Sequence, residues 1–181
     1  QLFLAMMLSP HAPDTTLRRM NEMGVLAAII PEFGRITGQM QYDGYPTYTV
    51  DEHILMAISN LHHFESGAVA QQHPLATALC REAHDRAVMY VAMLCHDIAK
   101  GTGGQHADKG AKMAQFVARR LGLSEDEADH VGWLVKHHAI LSDAAFKRDL
   151  DDPKTIADFV TIVQSPERLR LLLLITAADI K

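Results

Sequence analysis

Nine consecutive apolar residues, 87–95 (AVMYVAMLC), run directly into His96 and Asp97, and Gly101 halts the segment a turn later. An apolar run with no polar face belongs in the middle of a fold, and this one is far short of the ~20 residues that cross a bilayer. Residues 88–101 are therefore expected to form a buried central helix with an imidazole and a carboxylate at its C-terminal end. Unpaired buried charge is strongly disfavoured, and a metal ion would compensate it. A lone His-Asp pair has a plainer reading, in which the imidazole meets the last helix carbonyls.

Other histidines and a carboxylate shift the balance towards metal. His53 lies upstream, and His106, the His137-His138 pair and Asp179 lie downstream, each on or beside a segment expected to be helical. Imidazole suits Zn, Fe, Mn, Ni or Cu, and a carboxylate such as Asp97 can bridge two ions. Thr49-Val-Asp-Glu52 and Ser124-Glu-Asp-Glu127 have the capping-box pattern and predict two helix starts. The first helix would face inward through Val50, Ile54, Ala57, Ile58 and Leu61, with His53 at the border; the second through Val131, Leu134 and Val135. His138 follows that inner row. His137 is rotated about 100 degrees from it, so the pair reads either as one ligand with a supporting neighbour or as two ligands on an unwound helix end. Asp152-Pro153 and Ser165-Pro166 predict two further starts, and Asp179 falls one turn past Ile175 on a core-facing row.

Elsewhere, Asp14 is expected to cap a helix that Gly24 ends, 31–46 to be a glycine-bearing loop over one face of the site, and 108–121 to be helical. Gly101-Thr-Gly-Gly lacks the P-loop ending and reads as a hinge that places His106. His62 and His63 are expected to be surface or partly packed residues, His73 and His84 to be solvated, and His130 to lie at the surface. No strand-like alternation, repeat or low-complexity tract is present, so the fold class is all-α.

The order His53, His96-Asp97, Asp179 resembles the H…HD…D signature of the HD superfamily of metal-dependent phosphohydrolases. The strings YTVDEH (48–53), CHDIAKGTGGQH (95–106), WLVKHH (133–138), AFKRDLDDPKTIADFV (145–160) and NEMGVLAAIIPEFGRITGQMQ (21–41) are similar to the HD domains of the bacterial PII uridylyltransferase/uridylyl-removing family. The resemblance implies an HD-domain helical bundle with a metal site in its core. Residues 1–45 would be a helical and loop lead-in and 46–181 the phosphohydrolase domain, one structural unit overall. It implies one or two divalent ions (Mn, Fe, Zn, Co or Mg). The first would be held by His53, His96, Asp97 and Asp179, with His106, His137 and His138 serving a second site that shares Asp97. Lys100, in the HDxxK string, would be catalytic with Asp97. Its plainer role is a cation favouring the helix dipole. The substrate implied is uridylylated PII, with UMP released. In that family a nucleotidyltransferase domain precedes the HD domain and ligand-sensing ACT domains follow, so glutamine control would lie outside this chain. A general HD phosphohydrolase of nucleotides and a non-catalytic regulatory HD domain remain as rivals.

At 181 residues, 48% hydrophobic and 22% charged, the chain has material for one sizeable core. Its net charge of −5 with scattered Lys and Arg does not indicate a nucleic-acid groove, and no segment suggests a membrane partner. Cys80 and Cys95 in apolar surroundings suggest reduced thiols and a cytoplasmic setting. Residues 1–13 lack a charged n-region and cleavage site, so no signal peptide is expected. A start without Met and an ending within a helical run suggest a piece of a longer chain.

Overall fold

The computed structural model describes residues 2–40, 48–103 and 106–180, the side chain of His106 excepted. Among the described residues there are twelve helices: α1 (Leu2–Met7), α2 (Pro13–Glu22), α3 (Val25–Ile29), α4 (Pro31–Gly34), α5 (Val50–Ser66), α6 (Pro74–Glu82), α7 (Arg86–Cys95), α8 (His106–Leu121), α9 (Glu125–His137), α10 (Ile140–Lys147), α11 (Pro153–Val163) and α12 (Pro166–Asp179). Extended pairing among them is limited to an isolated antiparallel bridge between Met40 and Thr49. The all-α expectation holds.

The apolar run forms α7, in which every residue from Val88 to Cys95 is buried. It packs against α5, α8, α9 and α12, whose inner rows supply Ile54, Leu55 and Ile58, then Val117, then Leu134 and Val135, then Leu171 and Ile175. Each such side chain contributes roughly 1.5–3 kcal/mol by leaving water. Truncating one at the centre, Leu94→Ala, would cost about 2–5 kcal/mol, because the surrounding helices only partly close the gap.

The helix is shorter than its sequence suggests. α7 ends at Cys95, and residues 96–102 form successive tight turns, with Ile98 N donating to Cys95 O at 3.1 Å and Lys100 N to Asp97 O at 2.9 Å. The His96 ring donates through Nδ1 to Met93 O at 2.8 Å, competing for the carbonyl that a continuing helix would use. His96 and Asp97 thus stand in a turn beyond the helix rather than on its face.

The caps divide in the same way. Ser124 and Glu127 form the full reciprocal box, and Asp152 and Ser165 accept from Lys154 N and Arg168 N ahead of their prolines. At Thr49 the helix starts as expected but without a side-chain cap bond: the Thr49 side chain bonds the Asp51 carboxylate, and Glu52 pairs with Arg18 of α2. The α2 cap position is Ala12 in a left-handed conformation, with Asp14 in the first turn. The stretch expected as loop begins with α4, because Pro31 presets the first helical φ. Residues 41–47, the expected boundary at 45/46 and the 104–105 part of the glycine loop lie outside the described residues.

The lead-in is tied to the bundle at the very turn that carries His53. Buried Asp51 accepts from Asn21 Nδ2 at 2.7 Å and from Gly38 N at 3.0 Å, and Val50 N donates to Gln39 O at 2.9 Å. A bidentate Arg120–Glu32 pair at 2.9 and 2.8 Å joins α4 to α8. No described helix is long and apolar enough to cross a membrane.

Candidate metal centre

Three structural elements deliver their donors to one point. His53 projects from the first turn of α5, His96 from the turn after α7, and Asp179 from the last residue of α12. His53 Nε2 lies 2.7 Å from Asp179 Oδ1, His96 Nε2 lies 3.2 Å from that oxygen, and the two Nε2 atoms are 3.3 Å apart. One donor atom from each of the three falls within 4.8 Å of the others. Asp97 stands beside them, its Oδ2 3.4 Å from His96 Nε2 and 3.9 Å from His53 Nε2. The same oxygen accepts from Lys100 Nζ at 2.7 Å.

The electrostatics are those of a cation site. The His96 ring is 1% exposed, and its bond to Met93 O commits Nδ1 as a donor, leaving Nε2 to face the carboxylates. Burial disfavours the charged imidazole, yet Asp97 and Asp179 overcome it and raise the His96 pKa well above the ordinary value. Burial likewise opposes ionisation of Asp97 and Asp179, but His96 with Lys100 in the first case, and His53 with His96 in the second, hold both carboxyls far below the usual range. A proton on Nε2 is the cation available there without metal, and a divalent ion would occupy the same lone pair. Two imidazole nitrogens and a carboxylate oxygen converging at a largely buried point suit a transition metal, and the carbonyl bond to Nδ1 is the usual orienting support of a metal-bound histidine.

The other expected ligands separate. His138 comes to the centre: its ring meets that of His96 edge to face at 5.4 Å, and its Nδ1 donates to Val135 O at 2.8 Å, repeating the orientation device of His96. Burial and the neighbouring His96 lower its pKa, favouring the neutral ring that ligates. His137 does not join it. Its ring lies against Trp133 at 4.9 Å, and the Arg168 guanidinium also covers that indole. Since α9 keeps helical geometry through His137, the neighbours cannot both turn inward. His106 opens α8, but its side chain lies outside the described residues.

Among the other histidines, His63 and His84 are exposed and His62 is half-buried. His73 is partly covered by Phe64 at 5.3 Å. His130, expected at the surface, is half-buried 3.7 Å from Asp85, because α9 packs that part of its face against the turn before α7. Two groups escaped the sequence reading: Asn60, whose amide donates to Ala178 O at 2.9 Å, and Thr176, whose hydroxyl donates to His138 O at 3.3 Å. Asn60 falls two turns after His53 on the same helix, a spacing visible in the sequence; the carbonyl it meets is not.

An all-α bundle that brings a histidine, a His-Asp pair and a final aspartate to one buried point defines a metal-dependent hydrolase type of site. The chain belongs to the HD domain family, whose profile matches residues 62–179 and so takes in His96, Asp97 and Asp179 while beginning after His53. It is 52% identical over 181 residues, all of this chain, to the bifunctional uridylyltransferase/uridylyl-removing enzyme of Azospirillum brasilense. It is 50% identical over 179 residues to the enzyme of that name from Rhodospirillum rubrum, and 52% over 180 residues to that of Novosphingobium aromaticivorans, in each case 99% of this chain. The chain spans about a fifth of the length of these curated relatives, 19% to 20%.

Proposed function

We propose that this chain is a metal-dependent phosphodiesterase unit that removes the uridylyl group from a uridylylated protein, the nitrogen regulator PII, releasing UMP. The observation that carries the hydrolase reading is the convergence of His53 Nε2, His96 Nε2 and Asp179 Oδ1 within 4.8 Å. The choice of substrate is supported by whole-chain similarity to enzymes whose name includes uridylyl removal.

His53, His96 and Asp179 would hold a divalent ion, with Asp97 beside them as the carboxylate able to bridge to a second and His138 as a further donor. Bound metal supplies a more acidic water and neutralises phosphoryl oxygens. In the reaction, a water oxygen forms a bond to phosphorus and gives up a proton, the bond from phosphorus to the oxygen of the modified protein side chain breaks, and that oxygen takes up a proton. Lys100 is held at 2.7 Å by Asp97, which supports a role for its ammonium in offsetting the negative charge that non-bridging oxygens would gain. A preset cation needs no reorganisation as that charge develops. Asp97 serves both sides, since it also faces His96. Cys80 and Cys95 are free and buried, which suits the reducing cytoplasm.

The test is a substrate panel with the Mn- or Co-loaded chain: uridylylated PII, free nucleotides and cyclic dinucleotides. Release of UMP from the modified protein far above turnover of the others is the expected result. Preference for free nucleotides would replace it with a general nucleotide phosphohydrolase, and inactivity on all of them with metal bound would leave a regulatory domain.

A further inference from the structure

We infer that Asn60 is a positioning residue of the metal centre: its side-chain amide sets where the Asp179 carboxylate stands relative to His53. The inference rests on reading His53, His96 and Asp179 as the metal-holding set. Asn60 lies on α5 seven residues after His53. That spacing is two turns, about 10.5 Å along the axis, so Asn60 is too remote to bind the same ion at ligand distances of about 2 Å. Its Nδ2 instead donates to the carbonyl oxygen of Ala178 at 2.9 Å, 118 positions away in the chain.

The effect of that bond follows from peptide geometry. Ala178 O and Asp179 N belong to one planar peptide unit, whose far corner is the Asp179 Cα. Holding the oxygen therefore sets the orientation of the plane from which the Asp179 side chain departs. Ala178 and Asp179 lie in the last described turn of α12. One rigid element, α5, thus supplies both the His53 ligand and the stop that brings the opposing carboxylate to 2.7 Å from it. On another face, Thr176 grips His138 O, so the same terminal turn is held on two sides.

The test is cobalt titration of the metal-stripped chain, followed by visible absorption, for wild type, Asn60→Asp, Asn60→Ala and Asp179→Ala. Asn60→Asp keeps the shape of the side chain and removes the donor; Asn60→Ala removes both. Wild type should bind cobalt with ligand-field bands that Asp179→Ala abolishes or shifts. Both Asn60 variants, checked for helicity by circular dichroism, should bind about tenfold more weakly, at the low end for residues that orient ligands, and with displaced bands. A bond that only caps α12 would lower Tm and leave bands and affinity alone, so wild-type bands and affinity in the Asn60 variants would overturn the positioning role. Absence of cobalt binding by wild type, or unchanged binding by Asp179→Ala, would overturn the metal reading and this inference with it.

Discussion

His53 Nε2 and Asp179 Oδ1 stand 2.7 Å apart although 126 positions separate them in the chain. The contact closes the bundle, joining the first turn of α5 to the last turn of α12 beneath the turn that follows α7. His53 comes from the first turn of α5 and His96 from the turn after α7, so three separate segments of the bundle meet at this point.

The neighbouring histidines of α9 should behave differently. His138→Ala is expected to lower bound Mn or Co, or to weaken it by about 10–100-fold, as losing a ligand or ligand-orienting group does. His137→Ala should retain full metal content and lose only its packing on Trp133. Elemental analysis after dialysis against a fixed free-metal buffer reads both, and an equal loss in the two variants would contradict the separation seen around His96.

Asp97 joins His96 to Lys100, so Asp97→Ala should reduce hydrolysis by ~10²-fold or more, the scale of loss when reacting groups are misplaced by about an ångström. His62→Ala, at a half-buried position not among the proposed ligands, should remain near wild type. Steady-state assays on variants of matched helicity decide the matter. Comparable activity in the two would remove Asp97 from the centre.

A pH dependence follows from Asp51. Although burial opposes its charge, bonds from Thr49, Asn21 and Gly38 hold its carboxyl below the ordinary value. A depressed folded-state pKa means that the stabilisation is complete above the unfolded value of about 3.9 and is lost as pH falls through it towards the folded value. Wild type should therefore exceed Asp51→Asn in urea stability by roughly 1–3 kcal/mol near pH 7, a usual range for hydrogen bonds to a charged group. The difference should shrink below about pH 4. A gap that stays constant down to pH 3.5 would show that the carboxylate charge contributes nothing to clamping the lead-in.

The helical class, the burial of the run from Val88 to Cys95 and the starts of α9, α11 and α12 are legible in the sequence, because those features depend on side-chain periodicity and on caps within a few residues of the backbone groups they satisfy. The sequence also named His53, His96 and Asp179, through the order of a recognisable motif. The folded arrangement was needed to show that His96 and Asp97 stand in a turn beyond α7, that His138 and not His137 lies against His96, that Glu52 pairs with Arg18, and that Asn60 donates to the carbonyl beside Asp179. The first turns on the His96 ring bonding Met93 O three residues back, the Glu52 and Asn60 outcomes on partners more than a dozen positions away, and the His138 outcome on which face of α9 meets the core. The packing of α5, α7, α9 and α12 settles them, since a side chain bonds whichever group the assembled core places within reach.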